Sequence, residues 1–192
     1  MASRLRPLRV AFDATYVLSP RTGVGVYADA ILTRLAADPA IDVVAYAVAW
    51  RHRDRVLPHL PAGVRVPALT DLLSPRHARA FWKRWTFPPI EWVTGAVDVV
   101  HSPNFVVPPT RSAAAVVTVH DLTFVNHAEL CNDDTRSYPP LIAAAVRRGA
   151  WIHTVSRFVA DEVVEAFDVD PDRVVVVPNA TDELPEAPPA EG

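Results

Sequence analysis

Hydrophobic, largely β-branched runs recur along the chain at residues 8–12, 43–48, 64–66, 97–100, 115–119, 151–155 and 174–177. Most lack polar alternation, as parallel strands buried on both faces do. Between several of them the apolar positions take helical spacing: Val24, Tyr27, Ile31 and Leu35, then Leu141, Ile142, Ala145 and Val146, then Val159, Val163 and Phe167. This alternation predicts right-handed βαβ crossovers and a doubly wound, mostly parallel α/β sheet of Rossmann-like type. Its ligand crevice would lie at the carboxyl ends of the strands. Gly149, after Arg147-Arg148, is placed to end one helix, and Ser156 to cap the next. Residues 51–92 resist this reading, because Pro58, Pro61, Pro67, Pro75, Pro88 and Pro89 cut them into short pieces.

A chain of 192 residues, half of them hydrophobic, is long enough for one domain with a substantial core. We place that domain at 1–178. Beyond Pro178 the composition turns to Asn, Thr, Asp, Glu and Pro, so 179–192 read as a linker or disordered acidic tail. A net charge of −3 argues against a general nucleic-acid binder. Cys131 stands alone, which excludes an internal disulfide framework and a cysteine-based zinc site and suits a reducing compartment. With no apolar run near membrane-spanning length and a short, polar start, the expected location is cytoplasmic. Residues 76–85 mix Arg76, Arg79, Lys83 and Arg84 with Phe81, Trp82 and Trp85. Two readings stand: peripheral contact at the inner membrane face or with a lipid-linked acceptor, and core packing with the arginines snorkelling outward.

Candidate chemistry gathers where strands end. The run 8–13 leads through a polar loop into Thr22-Gly23-Val24-Gly25-Val26-Tyr27, where a helix begins. Glycines let backbone approach a ligand, and a helix amino end favours phosphate; the same glycines also serve tight packing. Gly23-x-Gly25-x-x-Ala28 fits a dinucleotide fingerprint on paper only. A loop separates it from its strand, and the second strand ends in Ala49-Trp50 without a ribose-binding carboxylate. Val117-Thr118-Val119-His120-Asp121 delivers a His-Asp pair to another strand end, where His120 can hydrogen-bond a substrate and Asp121 can set its tautomer or cap a turn. His101 and Asn104 follow a third strand, and Ser156-Arg157 open a helix where an anion could sit. His101, His120 and His127 lack metal-ligand spacing, and no Gly-x-Ser-x-Gly elbow marks a hydrolase.

Taken in order, Gly23-Val24-Gly25-Val26-Tyr27, Asp98-Val99-Val100-His101-Ser102-Pro103-Asn104, Thr118-Val119-His120-Asp121-Leu122, Thr154-Val155-Ser156-Arg157-Phe158 and Val175-Val176-Val177-Pro178-Asn179 resemble the amino-terminal domain of family 4 glycosyltransferases. The resemblance spans nearly the whole chain. It implies one half of a GT-B architecture, transferring a sugar from a nucleotide-sugar donor with retention and without a bound metal. It also implies that Gly23 and Gly25 approach the donor diphosphate and that His120 sits by the transferred sugar as a hydrogen-bond partner. With them we place Val24 in the phosphate loop, Asp121 beside His120, and Tyr27, His101, Asn104, Ser156 and Arg157 in the cleft for a sugar or lipid-linked acceptor. In such enzymes the nucleotide is held by a carboxyl-terminal domain. The expectation is therefore a chain that is inactive alone and depends on a donor-binding domain, acting in trans if separately encoded, or else a noncatalytic interaction module derived from such an enzyme. Ala180 stands where the family pattern has glycine after Pro178-Asn179.

Overall fold

Six strands, all parallel, frame the molecule: β1 (Leu8–Asp13), β2 (Ile41–Tyr46), β3 (Val99–Ser102), β4 (Ala114–Val119), β5 (Trp151–Thr154) and β6 (Val174–Val176). The structure, a computed structural model, describes residues 6–17, 22–47, 60–67 and 81–180. The strand order is β2-β1-β3-β4-β5-β6. The chain thus leaves β1 in one direction for β2 and later places β3 on the opposite side of β1. That reversal opens a crevice beyond the carboxyl ends of β1 and β3.

Among the described residues five α-helices accompany the sheet: α1 (Gly23–Ala37), α2 (Glu91–Thr94), α3 (Thr123–Asn126), α4 (Pro139–Arg147) and α5 (Arg157–Phe167). Side chains alternate across each strand and so divide the core in two. Ala11, Val100, Val117 and Ile152 face the cluster that includes Leu141 and Ile142 of α4 and Val159 and Val163 of α5. On the other face Phe12, Val43 and Ala45 pack with Ala28 and Leu32 of α1. Helix ends follow local chemistry. Ser156 Oγ accepts from Val159 N at 3.2 Å, and Gly149, at φ +79°, closes α4 while Ala150 N reaches back to the Ala145 carbonyl.

Two strand expectations shift. Residues 64–66 contribute a single parallel bridge, Val44 to Arg65, rather than a strand; Pro67, the next ladder position, has no N–H with which to extend it. The strand expected at 97–100 lies at Val99–Ser102, so His101 belongs to the strand instead of following it. Val97 turns into the core before it, and Asp98 is taken by Arg6 and by the Arg9 backbone N–H. Ala49-Trp50, Arg76, Arg79 and the tail from 181 lie outside the described residues.

Candidate functional site

Thr22 starts α1 by accepting the Gly25 N–H on its hydroxyl at 3.1 Å. The two glycines there differ. A Cβ at Gly25 would stand 3.0 Å from the Tyr16 carbonyl, so position 25 is held to glycine by close packing, whereas a Cβ at Gly23 would meet nothing within 4 Å. The amino end of α1 is open at Gly23 and Val24, and its first turn carries no acid. Free N–H groups and the positive dipole end together suit an anion.

One turn further along α1, Tyr27 presents its ring to His120, with centroids 5.0 Å apart and planes nearly perpendicular. Phe105 approaches the same imidazole edge-on at 6.0 Å. Phe105 itself is in the left-handed region at φ +40°, a conformation a bulky residue adopts only under surrounding constraint; its N–H is anchored on the Thr118 carbonyl at 2.9 Å, and its ring stacks on Tyr138. His120 Nε2 lies 2.8 Å from the Pro103 carbonyl. A carbonyl only accepts, so Nε2 carries the proton and Nδ1 is left as an acceptor. Burial lowers the His120 pKa, against the raising effect of the Pro103 carbonyl. The ring is therefore a neutral, oriented hydrogen-bond acceptor. Its tautomer is set by Pro103; Asp121 Oδ1 instead accepts the Thr123 N–H at 2.9 Å in the turn that leads into α3.

Beside this ring a polar row crosses three adjacent strands on the α1 face. His101 Nε2 is 3.2 Å from Thr118 Oγ1, and Thr118 Oγ1 is 3.1 Å from His153 Nδ1. The Tyr27 hydroxyl lies 3.3 Å from that same Nδ1, while His153 Nε2 meets the Val177 carbonyl at 3.1 Å. The consistent direction runs from His101 N–H to Thr118, from the Thr118 O–H to His153 Nδ1, and from His153 Nε2–H to Val177. Burial pushes His101 down to about 4 and lowers His153 as well, so the row is neutral at physiological pH. A groove of about 880 Å³ flanks it, running from Gly23 past Tyr27, His101 and His153 to Trp151 and Val177. That is room for a small ligand.

The expected site residues thus separate. Gly23, Tyr27, His101 and His120 share one rim of the sheet. Asn104 is buried behind it, bonded to Tyr16, with its Oδ1 unpartnered among the described residues. The Ser156 hydroxyl is spent on capping, and Arg157 stands exposed at the head of α5. Missed by the sequence reading were His153, Phe105 and Asp13. Asp13 ends β1 fully buried, accepts from Thr15 N and Oγ1, and is raised by burial to about 6 against those bonds. The available signal was the same for all three, a polar or bulky residue interrupting an otherwise apolar strand or its exit. No group of three or more metal-ligating side chains converges among the described residues. The family model described as Glycosyltransferase Family 4 matches residues 21–183. No curated protein matches the chain.

Proposed function

The chain belongs to glycosyltransferase family 4, and from that premise we propose that it forms the acceptor-side wall of a retaining sugar transferase. The donor is a nucleotide sugar used as substrate, no metal takes part, and the nucleotide is held chiefly by a second, donor-binding domain. One observation carries the reading. Tyr27 joins the open helix start at Gly23 to the His120 ring, so an anion cradle and a hydroxyl acceptor share one rim. The leaving diphosphate gains stabilisation from the amino end of α1 as charge develops on it, and His120 Nδ1 orients the transferred sugar through a hydroxyl. The cradle supplies part of the field needed, so transfer requires the donor-binding domain. Sugar transfer measured for this chain with and without a family donor-binding domain tests the proposal. Activity should appear only in the combination, and His120→Ala should lower turnover about a hundredfold with the fold intact; unchanged turnover removes His120 from the site.

A second reading, a noncatalytic interaction module, draws on the exposed flank beside α1, where Val26, Trp151, Val175 and Val177 are open to solvent. It gains if the purified chain self-associates through that flank while every donor pairing stays inactive.

A further inference from the structure

Away from the crevice, the segment leading into β3 carries a second feature. Three of the five tryptophans of the chain fall between 82 and 92, together with Phe81 and Phe87. Trp82 packs into the core at 6% exposure, which removes it from the membrane contact the sequence suggested. Its neighbours do the reverse. Phe81 and Trp85 stack at 6.0 Å, Phe87 and Trp92 meet edge-to-face at 4.7 Å, and the four are 41%, 56%, 51% and 59% exposed. Two aromatic pairs this open lie on one short segment and leave four large apolar rings in contact with solvent.

The segment is basic in sequence. Residues 76–92 contain Arg76, Arg79, Lys83 and Arg84 against a single acid, Glu91, in a chain whose net charge is negative. Glu91 does not oppose them outwardly, because its Oε1 accepts the N–H groups of Arg111, Ser112 and Ala113 at 2.8, 3.0 and 3.1 Å. The segment is also braced. Arg148 donates to the Trp82 carbonyl at 3.0 Å and to the Val107 carbonyl at 2.8 Å, tying the segment to the body of the domain.

We propose that Phe81, Trp85, Phe87 and Trp92, with Lys83 and Arg84, form a peripheral docking face for an anionic lipid bilayer. Tryptophan rings settle at headgroup depth with one edge in the apolar layer, and Lys and Arg reach the phosphates while their stems cover apolar surface. Aromatics and arginine also suit a protein interface; the cations of the segment, with its one acid turned to backbone N–H groups, are what select an anionic bilayer. Docking is independent of the transferase reading, because its groups lie outside the crevice.

The test uses the full chain and vesicles of phosphatidylcholine with or without phosphatidylglycerol. Cosedimentation should occur with the anionic vesicles, weaken as salt rises, and fall about fivefold for each charge removed in Lys83→Gln and Arg84→Gln. Trp85→Ser with Trp92→Ser should reduce binding at least tenfold while circular dichroism and melting stay those of the parent chain. Quenching of the parent fluorescence by brominated acyl chains gives a readout free of substitution, and it should vanish in Trp85→Phe with Trp92→Phe. Equal binding to neutral vesicles, binding indifferent to all these substitutions, or no binding at low salt overturns the proposal. So does salt-insensitive self-association through the same residues, which would assign the face to a second copy of the chain.

Discussion

At the scale of single residues, the site is governed by which nitrogen or oxygen is already spoken for. His120 gives Nε2–H to Pro103, which leaves Nδ1 as an acceptor, so under the proposed function His120→Gln, which lacks the ring contacts to Tyr27 and Phe105, should recover little of the turnover lost in His120→Ala. Burial sets two opposing pH dependences. His101, with a folded pKa near 4 against an ordinary 6.5, binds its proton more readily in the unfolded chain, so its contribution is lost as pH falls from about 6.5 through 4. Asp13, raised from 3.8 to about 6, favours the folded state in its protonated form, and that advantage is lost as pH rises through the same window. Asp13→Asn retains the acceptor for Thr15 and removes the charge. Denaturant unfolding should show it more stable than the parent above pH 7, by on the order of 3 kcal/mol, and similar to it below pH 4. Equal stability at pH 7.5 would contradict this account of Asp13. The positions of His120 and His101 near strand ends were readable from the chain. The tautomer of His120 was not, because it depends on Pro103, seventeen positions away and brought close by the pairing of β3 with β4.

For individual elements, the start of α1 offers a clean separation of fold from ligand. Gly25→Ala drives a methyl against backbone, the Tyr16 carbonyl, and should cost about 1–3 kcal/mol in unfolding free energy. Gly23→Ala meets open space in a helical position and should be neutral or stabilising by up to about 1 kcal/mol, while weakening nucleotide-sugar use by crowding the approach of the diphosphate. Thermal or denaturant melts of the two variants, beside transfer assays in the presence of the donor-binding domain, distinguish these effects. β5 has a comparable test. His153→Leu keeps bulk but deprives Tyr27, Thr118 and the Val177 carbonyl of a partner, and should cost about 1–3 kcal/mol. Strand and helix types were legible because buried parallel strands are uniformly apolar and helices carry their caps in sequence, as at Ser156 and Gly149. The polar row was not legible. His101, Thr118 and His153 are far apart in the chain, and only the register that sets Thr118 opposite His153 makes them one object.

For the whole molecule, the doubly wound parallel arrangement follows from alternation, and the structure adds the order β2-β1-β3-β4-β5-β6 with its reversal beside β1. Residues 51–92 stayed opaque for a physical reason: prolines remove the periodicity on which pattern reading depends, and what orders 81–97 is Arg148 and the backbone groups at 111–113. The tie at 111–113 sits where β4 begins, whereas His120 follows the end of β4, six residues and about 20 Å further on. The brace at Arg148 gives that offset a meaning if the aromatic face rests on lipid. A domain clamped this way behaves as a gauge of fixed height, the rim that carries His120 and the docking rings being tied into one rigid body. If the proposed transfer takes place at that rim, it acts at one set distance from the headgroups, and acceptors whose reactive end stands at that distance would be selected.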